Sequence, residues 1–550
     1  MAEPTVATLV IDALRQARID TLFCLPGVQN DDFFDALVDA RDITPVVTRH
    51  EQGAAYMAMG AAQVTGRPSA FCVVPGPGML NATAALTSAY WGYARVLGII
   101  GGIATGLQGR DIGTLHDLND PTAVLQQVTK EAIRVDDPAR ATGLIQRALD
   151  QLHGGVPRPV SVEVPVDVWA RPADGGLPVE TAAEPTPDPD AVDRAAAALA
   201  EAARPLIVLG SGAYGAAAEV AELADLIGAA VTTRRQGHGV VPTAHPRFVP
   251  ITAAHGLWAE ADVVLGIGTR MEWPLGTWGV DDELQVIQLN VDADELDRHG
   301  IGTIGLHGDA ARGCRVLIDA LGARLDGDAR PRGIAVEELD ERRTRFAVDT
   351  AHLVPQREFT AVIRDVMPDD GALVEDVTQI GFAAHLFYDH RRPRTFLTSG
   401  AAGTLGAGTA VAIGAAAVHD GPVVGITGDG GFLFTATELA TAVQHDIPCT
   451  ILLFNDGAYG NVRRIQKLRF GADRTIASKL RNPDFSLLAQ SFGVRYWHAD
   501  SPDALRPALG AAIDHHGPAL VEVTVDEMPN PWPFLRMPAV RGPAASPAGH

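Results

Sequence analysis

Short apolar runs rich in Val, Ile and Leu alternate with amphipathic stretches of helical period, and they do so in three separate blocks. A buried strand followed by a helix, repeated, satisfies its backbone as a parallel sheet covered on both faces. The rhythm therefore predicts an α/β protein of three doubly wound parallel-sheet domains. The first block covers residues 1–170, with strands expected at 21–23, 45–48, 69–74, 96–101 and 160–164. The second covers 190–330, with strands at 206–209, 230–233, 263–267 and 286–290. The third covers 355–530, with strands at 372–375, 423–427, 450–454 and 520–525. The Pro-, Ala- and Asp-rich segment 171–189 and the polar segment 331–354 read as linkers, and the proline-bearing tail 531–550 reads as an irregular surface arm.

A chain of 550 residues is long enough for several domains with cores of their own. Its 44 Lys and Arg against 67 Asp and Glu leave a net charge of −23, which repels polyanions and excludes nucleic acid and anionic membranes as expected partners. One uncharged run, 395–418, has the length of a membrane span, but its Gly, Ala, Ser and Thr content makes transfer into lipid weak. It is expected to be a buried loop and helix of a packed core. Cys24, Cys72, Cys314 and Cys449 show no metal or disulfide spacing, and the N-terminus lacks the basic start of a secretory leader, so a cytoplasmic location is expected.

The strongest chemical signal is Gly428-Asp429-Gly430 directly after the strand 423–427, followed by Asn455-Asp456-Gly457 after the strand 450–454. Both acids then stand at the C-terminal ends of parallel strands, where α/β sheets bind ligands. Two carboxylates and nearby carbonyls are hard oxygen donors suited to Mg²⁺ shared with a phosphate-bearing cofactor, and the glycines let backbone approach the phosphates. The plainer reading of Asp456 is a turn-forming residue before Gly457. In block one, Val46-Val47-Thr48-Arg49-His50-Glu51-Gln52-Gly53-Ala54-Ala55 is a strand running into a small-residue helix, and Glu51 falls in the first turn, which the helix dipole alone would favour. Downstream lie the loop Val74-Pro75-Gly76-Pro77-Gly78-Met79-Leu80-Asn81 and, in block three, the glycine-rich run TSGAAGTLGAG at 398–408.

With these motifs, the sequence resembles the thiamine diphosphate enzymes of the acetohydroxyacid synthase, pyruvate oxidase and benzoylformate decarboxylase group. The resemblance covers nearly the whole chain, in the order pyrimidine-binding, central and diphosphate-binding domain. It implies that Asp429, Asp456 and the carbonyl of Ala458 hold Mg²⁺. Gly428, Gly430, Gly431, Tyr459 and Gly460 would approach the diphosphate, with Thr378, Gln379 and Ile380 lining the same pocket. Gly76 and Asn81 would pass close to the pyrimidine, the Gly403 carbonyl would accept from its 4′-amino group, and Leu405 would prop the cofactor in a bent shape. Glu51 would be the catalytic glutamate, hydrogen-bonded to the aminopyrimidine ring so that the imino tautomer can remove the thiazolium C2 proton. One departure stands out: the family usually has Asn where this chain has Asp456, so metal affinity is expected to fall more steeply as pH drops.

The same resemblance places His116 and Asp117, in LHDLND, beside the reacting carbon, where a neutral imidazole could relay protons. Asn461, Val462 and Ile465 would limit acyl size, with Val28 and Gln29 facing them across a subunit interface. Because the family's glutamate and metal motif contact one cofactor from two chains, a homodimer or homotetramer is implied. Block two contains a literal G-x-G-x-x-G at Gly210 to Gly215, but the next strand ends in Arg234-Arg235 instead of an acid. FAD there is possible but not favoured. Acetohydroxyacid synthases carry a further arginine shortly after the segment matching 268–270, where this chain reads MEWPLGTW, so acetolactate synthesis proper is not favoured. The expected activity is decarboxylation of a 2-oxo acid, with protonation of the resulting enamine or its ligation to an aldehyde or ketone. Competing readings are an FAD-containing oxidase or synthase of the same group, a non-decarboxylating C–C lyase or ligase, a nicotinamide dehydrogenase, which leaves Glu51 unexplained, and a catalytically silent cofactor binder.

Overall fold

The computed structural model describes residues 4–173, 175–178, 185–325 and 333–542. The first block forms β1 (Thr21–Cys24), β2 (Thr44–Val47), β3 (Ser69–Val73), β4 (Val96–Gly102), β5 (Glu131–Arg134) and β6 (Val160–Pro165). The second forms β7 (Pro205–Leu209), β8 (Ala230–Thr233), β9 (Val263–Ile267), β10 (Gln285–Asn290) and β11 (Ile304–His307). The third forms β12 (Ala372–Glu375), β13 (Phe396–Thr398), β14 (Val423–Gly428), β15 (Cys449–Asn455), β16 (Arg495–Ala499) and β17 (Ala519–Thr524). They assemble as three sheets, β2-β1-β3-β4-β6-β5, β11-β10-β9-β7-β8 and β13-β12-β14-β15-β17-β16. Three parallel α/β layers are therefore present, as the apolar rhythm predicts. The strands it does not reveal, β5, β11, β13 and β16, all lie at sheet edges. An edge strand pairs on one side only, so its sequence is under less pressure to be uniformly apolar.

By its internal contacts the chain divides into two compact units. One contains the described residues of 1–183 with 365–381 and 397–527, and so holds the first and third sheets. At its centre, helix Glu51–Thr65 packs on helix Ala407–Ala416, and every residue of the latter is buried. The approach is backbone to backbone: a Cβ on Gly60 would lie 2.1 Å from the Val411 carbonyl oxygen, and one on Gly414 would lie 2.1 Å from that of Met57. The uncharged run 395–418 is thus accounted for by an edge strand, a loop and a core helix. Among the described residues no helix is long and apolar enough to cross a membrane.

The other unit contains the central sheet. Within the segment expected as a linker at 331–354, residues Val336–Asp349 form a helix. Leu339 is its buried anchor, and Glu338 accepts from Arg204 and Arg342. With a single buried residue the helix is too polar to show an apolar stripe. The tail corrects the expectation of a surface arm. Met537 is buried in this unit's core, and the buried Arg541 donates to the Trp258 carbonyl at 2.6 Å and pairs with Asp281 at 2.6 Å. Prolines keep the segment irregular, while these anchors dock it. Parts of both expected linkers and the last residues of the tail lie outside the described residues. All four cysteines are free and buried, and burial pushes the Cys24, Cys314 and Cys449 thiols up to about 12, which makes them inert.

Candidate active site

The first and third sheets each present a set of loops at the C-terminal ends of their strands. In the third sheet, β14 runs directly into Asp429, the first residue of helix Asp429–Thr435, and the neighbouring β15 is followed by Asp456. Gly428 and Phe454 are paired in register, so the two acids emerge side by side. Asp429 is 1% exposed, and burial raises its pKa. The Asp456 carboxyl is pushed up to about 6, chiefly by burial and next by the charge of Asp429, while the Arg463 guanidinium, 3.7 Å away, opposes the rise. Two buried carboxyl groups at adjacent strand ends, one of them raised further by its neighbour's charge, make a site that a divalent cation would relieve.

The surrounding backbone is shaped for close approach. Gly457 has φ +64°, and Tyr459 N is anchored on the Ser478 carbonyl at 2.8 Å. A Cβ on Gly430 would meet the Tyr459 ring at 2.6 Å, and one on Gly460 would meet Asp456 Oδ2 at 2.3 Å. Thr378 flanks Gly428 and accepts from Gly381 N at 2.8 Å. Gln379 lies beside Gly460, with its Oε1 taken by Arg464 at 2.5 Å and its buried Nε2 without a partner. Ile380, expected in the same pocket, is fully buried as a core side chain. Gly431 is buried one residue further along the same helix turn. Among the described residues no cluster of three or more His, Cys, Asp or Glu side chains forms a metal cage. A cation here would have two carboxylates and backbone oxygen, and would complete its shell from phosphate and water, a pattern typical of Mg²⁺.

In the first sheet, β2 leads through Thr48, Arg49 and His50 into helix Glu51–Thr65, and the His50 ring accepts from Gln52 N at 3.1 Å as its N-cap. Glu51 Oε2 accepts from Asn81 Nδ2 at 3.0 Å. Asn81 is carried by helix Pro77–Trp91, which Gly76 precedes at the N-cap position. Gly76 has φ +55°, and a Cβ there would lie 2.6 Å from the His116 carbonyl oxygen, so both conformation and space require glycine. His116 Nδ1 bonds Gln29 Oε1 at 3.1 Å, and Gln29 is itself held through its carbonyl by the Trp169 indole at 2.9 Å. The structure thus brings Gln29, Gly76 and His116 together. Asp117 instead closes its own loop by accepting from Gly113 N at 3.2 Å. His116 also lines a cavity of about 270 Å³ shared with Pro75, Gln108, Asn119, Arg134 and Glu163.

The glycine loop of the third sheet is tied to the first: Thr404, between Gly403 and Leu405, bonds Tyr56 at 2.9 Å and Ser88 at 2.6 Å. Gly403 has φ +59° and open space beside it. Asn461, Val462 and Ile465 lie on helix Gly460–Phe470, where Val462 and Ile465 are exposed, as is Val28 near the first sheet. Among the described residues no hydrogen bond or ion pair joins Glu51 to Asp429 or Asp456. Sequence reasoning misses Asn482, which donates to Asp429 Oδ2 at 2.6 Å and to Asn455 Oδ1 at 3.0 Å and so fixes the acid's orientation. No local motif marks it.

In the central sheet the G-x-G-x-x-G is used in packing. A Cβ on Gly210 would lie 2.3 Å from the Gly268 carbonyl, and one on Gly212 would lie 2.7 Å from Gly268 Cα. The next helix begins only at Ala217, beyond the last glycine, so its N-terminus does not open from the glycine turn as the dinucleotide fingerprint requires.

Two parallel sheets of like strand order, one offering paired carboxylates and the other an amide-held glutamate, define an enzyme that binds a phosphate-bearing cofactor. The chain belongs to the thiamine pyrophosphate enzyme family. Residues 4–130 match its N-terminal TPP binding domain, 192–317 its central domain and 376–523 its C-terminal TPP binding domain. Similar proteins match over almost their full length. A probable 2-ketoarginine decarboxylase of Pseudomonas aeruginosa is 32% identical over 534 residues, covering 94% of each chain. A probable acetolactate synthase large subunit of Methanocaldococcus jannaschii is 30% identical, covering 94% of this chain and 92% of its own. The large subunit of acetolactate synthase isozyme 2 of Escherichia coli is 29% identical, covering 96% and 97%.

Proposed function

We propose that this chain is a thiamine diphosphate- and Mg²⁺-dependent enzyme that decarboxylates a 2-oxo acid and delivers the product carbon to a proton or to an aldehyde or ketone acceptor. The observation that carries this reading is the pairing of two half-sites: converging Asp429 and Asp456 at adjacent strand ends, and Glu51 held by Asn81 at the end of the like-ordered sheet. The names of the relatives, a decarboxylase and acetolactate synthases, support the same reaction class.

The residues present suit the cofactor. Asp429, Asp456 and the Ala458 carbonyl would hold Mg²⁺, which offsets the mutual repulsion of the two acids. The orphan Nε2 of Gln379 and the backbone at Gly428, Gly430, Gly431 and Gly460, with Gly430 and Gly460 lacking room for a side chain, would receive the diphosphate. When bound, thiamine diphosphate supplies the carbon nucleophile and electron sink for cleavage next to the carboxylate. Glu51 would hold and move a proton at the aminopyrimidine ring nitrogen, with Asn81 fixing one of its oxygens. The Gly403 carbonyl would orient the 4′-amino group and Leu405 would support the bent shape. His116, oriented by Gln29, would stand ready to exchange a proton at the substrate. Asp117 would act on it only through loop shape.

Glu51 of one copy is read as working with the metal motif of another in a homodimer or homotetramer. Supporting this, among the described residues no bond joins Glu51 to Asp429 or Asp456 within a chain, and exposed apolar residues rim both half-sites: Val28, Leu80 and Leu115 on one, and Phe434, Val462 and Leu468 on the other. The central domain is read as structural, without flavin, and the cytoplasm is the proposed location. The test is CO2 release from a panel of aliphatic, aromatic and guanidino 2-oxo acids with thiamine diphosphate and Mg²⁺, wild type beside Glu51→Gln. Release lost in the variant is expected; equal release from both would overturn the assignment.

A further inference from the structure

A buried carboxylate that the proposed reaction does not use lies behind Glu51. Glu438 ends the 3-10 turn Ala436–Glu438, which follows helix Asp429–Thr435, and it is fully buried. Its oxygens face the segment that leads into helix Glu51–Thr65. Arg49 N donates to both of them, at 3.1 and 3.3 Å, and the His50 N–H also bonds the carboxylate. Thr441 Oγ1 donates to it at 2.6 Å from its own side.

The same strip of chain is gripped twice more from that region. Val47 N donates to His445 Nε2 at 2.9 Å, and Arg49 Nη2 donates to Gln444 Oε1 at 2.5 Å. The helix itself makes room for the acid, since a Cβ on Gly53 would lie 2.2 Å from Glu438 Oε1. That accounts for a glycine in the first turn of a helix, where it is otherwise unfavourable. Burial raises the Glu438 pKa, and the donated hydrogen bonds lower it, so the group sits in a dry site already filled by donors.

We infer that Glu438 is a positioning residue for Glu51: by fixing the N–H groups of Arg49 and His50 it sets where β2 ends and the helix begins, and hence the point from which Glu51 reaches the cofactor. Asn81 orients the Glu51 side chain, while Glu438 orients the backbone beneath it. A displacement of about 1 Å in a reacting group can cost on the order of a hundredfold in rate, so a residue that never touches the cofactor can control the proton step. The inference rests on the reading of Glu51 given above.

The test uses the holoenzyme with thiamine diphosphate and Mg²⁺, and measures exchange of the cofactor's C2 proton for deuterium by acid quench and proton NMR. Cofactor affinity from tryptophan fluorescence and the melting temperature are measured on the same samples. Glu438→Gln keeps the shape but sets an amide against two backbone donors. Gly53→Ala keeps the carboxylate and displaces it. Both variants are expected to slow exchange about 10- to 100-fold, with the cofactor dissociation constant within about threefold of wild type. Exchange at the wild-type rate in both variants would overturn the inference, as would a loss of cofactor affinity that parallels the loss of exchange. Glu51→Gln separates the two claims. If it exchanges normally, the reading of Glu51 falls and this inference with it; if it is slow while the Glu438 and Gly53 variants are normal, only this inference falls.

Discussion

The first and third sheets have one topology. Counting strands along each block, both run 2-1-3-4-6-5 across the sheet. Corresponding loops carry the candidate site in both: the loop after the first strand holds Gln29 or Gln379, that after the second Glu51 or the Gly403–Leu405 turn, and that after the third Gly76 or Asp429. The difference lies in the charge of these loops. One sheet presents a carboxyl held by an amide, and the other presents two buried carboxyls at adjacent strand ends, the charge of Asp429 helping to raise the pKa of Asp456. On the proposed reading the same frame would serve a proton-handling half and a cation-holding half, the difference lying in loop sequence. The central sheet shares the order 2-1-3-4, ends after a fifth strand, and uses its glycines to close strand ends.

That division predicts separable losses. Asp429→Ala should reduce turnover to background and weaken Mg²⁺ binding by more than about a hundredfold, beyond what loss of a supporting hydrogen bond costs a metal site. A Mg²⁺ titration that left affinity intact would break the assignment of the third sheet. Glu51→Gln should lower turnover about 10²- to 10⁴-fold, the usual worth of general acid–base catalysis, with Mg²⁺ and cofactor affinity nearly unchanged. Asn482→Ala should weaken Mg²⁺ about 10- to 100-fold through misorientation of Asp429, leaving C2-proton exchange normal once the site is saturated. Gly414→Ala overpacks the contact with Met57 and should cost about 1–3 kcal/mol, read as a lower melting temperature without a selective loss at either half.

The smallest effect belongs to the unit with the central sheet. His238 and His390 stack at 4.0 Å in its interior, burial pushing His238 down to about 3 and His390 well below its ordinary value. Unfolded histidines accept protons near pH 6.5 while these resist. Their contribution to stability is therefore complete above that pH and is lost as pH falls toward 3. Between pH 7 and 6 the loss is under about 1 kcal/mol per histidine, measurable by denaturant titration and reduced in His238→Phe.

Strands with neighbours on both sides were legible because full burial leaves an unbroken apolar run, as in Val96–Gly102 and Val423–Gly428. The short edge strands Glu131–Arg134 and Arg495–Ala499 mix charge and aromatics and carry no such mark. Asp429, Asp456 and Glu51 were legible because each directly follows a recognisable strand. Asn482 and Glu438 were not, since their meaning lies in partners 53 and 389 residues away in sequence. The polar helix Val336–Asp349 was hidden for a different reason, having one buried anchor in place of a stripe.

Gly60 and Gly414 carry a final consequence. Because peptide atoms on each helix fill the space a methyl would need on the other, the spacing between the two sheets is set by main chain and not by any choice of rotamer. Side-chain drift elsewhere in the core can be absorbed without altering that gap, whereas neither glycine can drift at all. New substrate preferences can then arise by rewriting loops over a gauge that the two glycines keep constant.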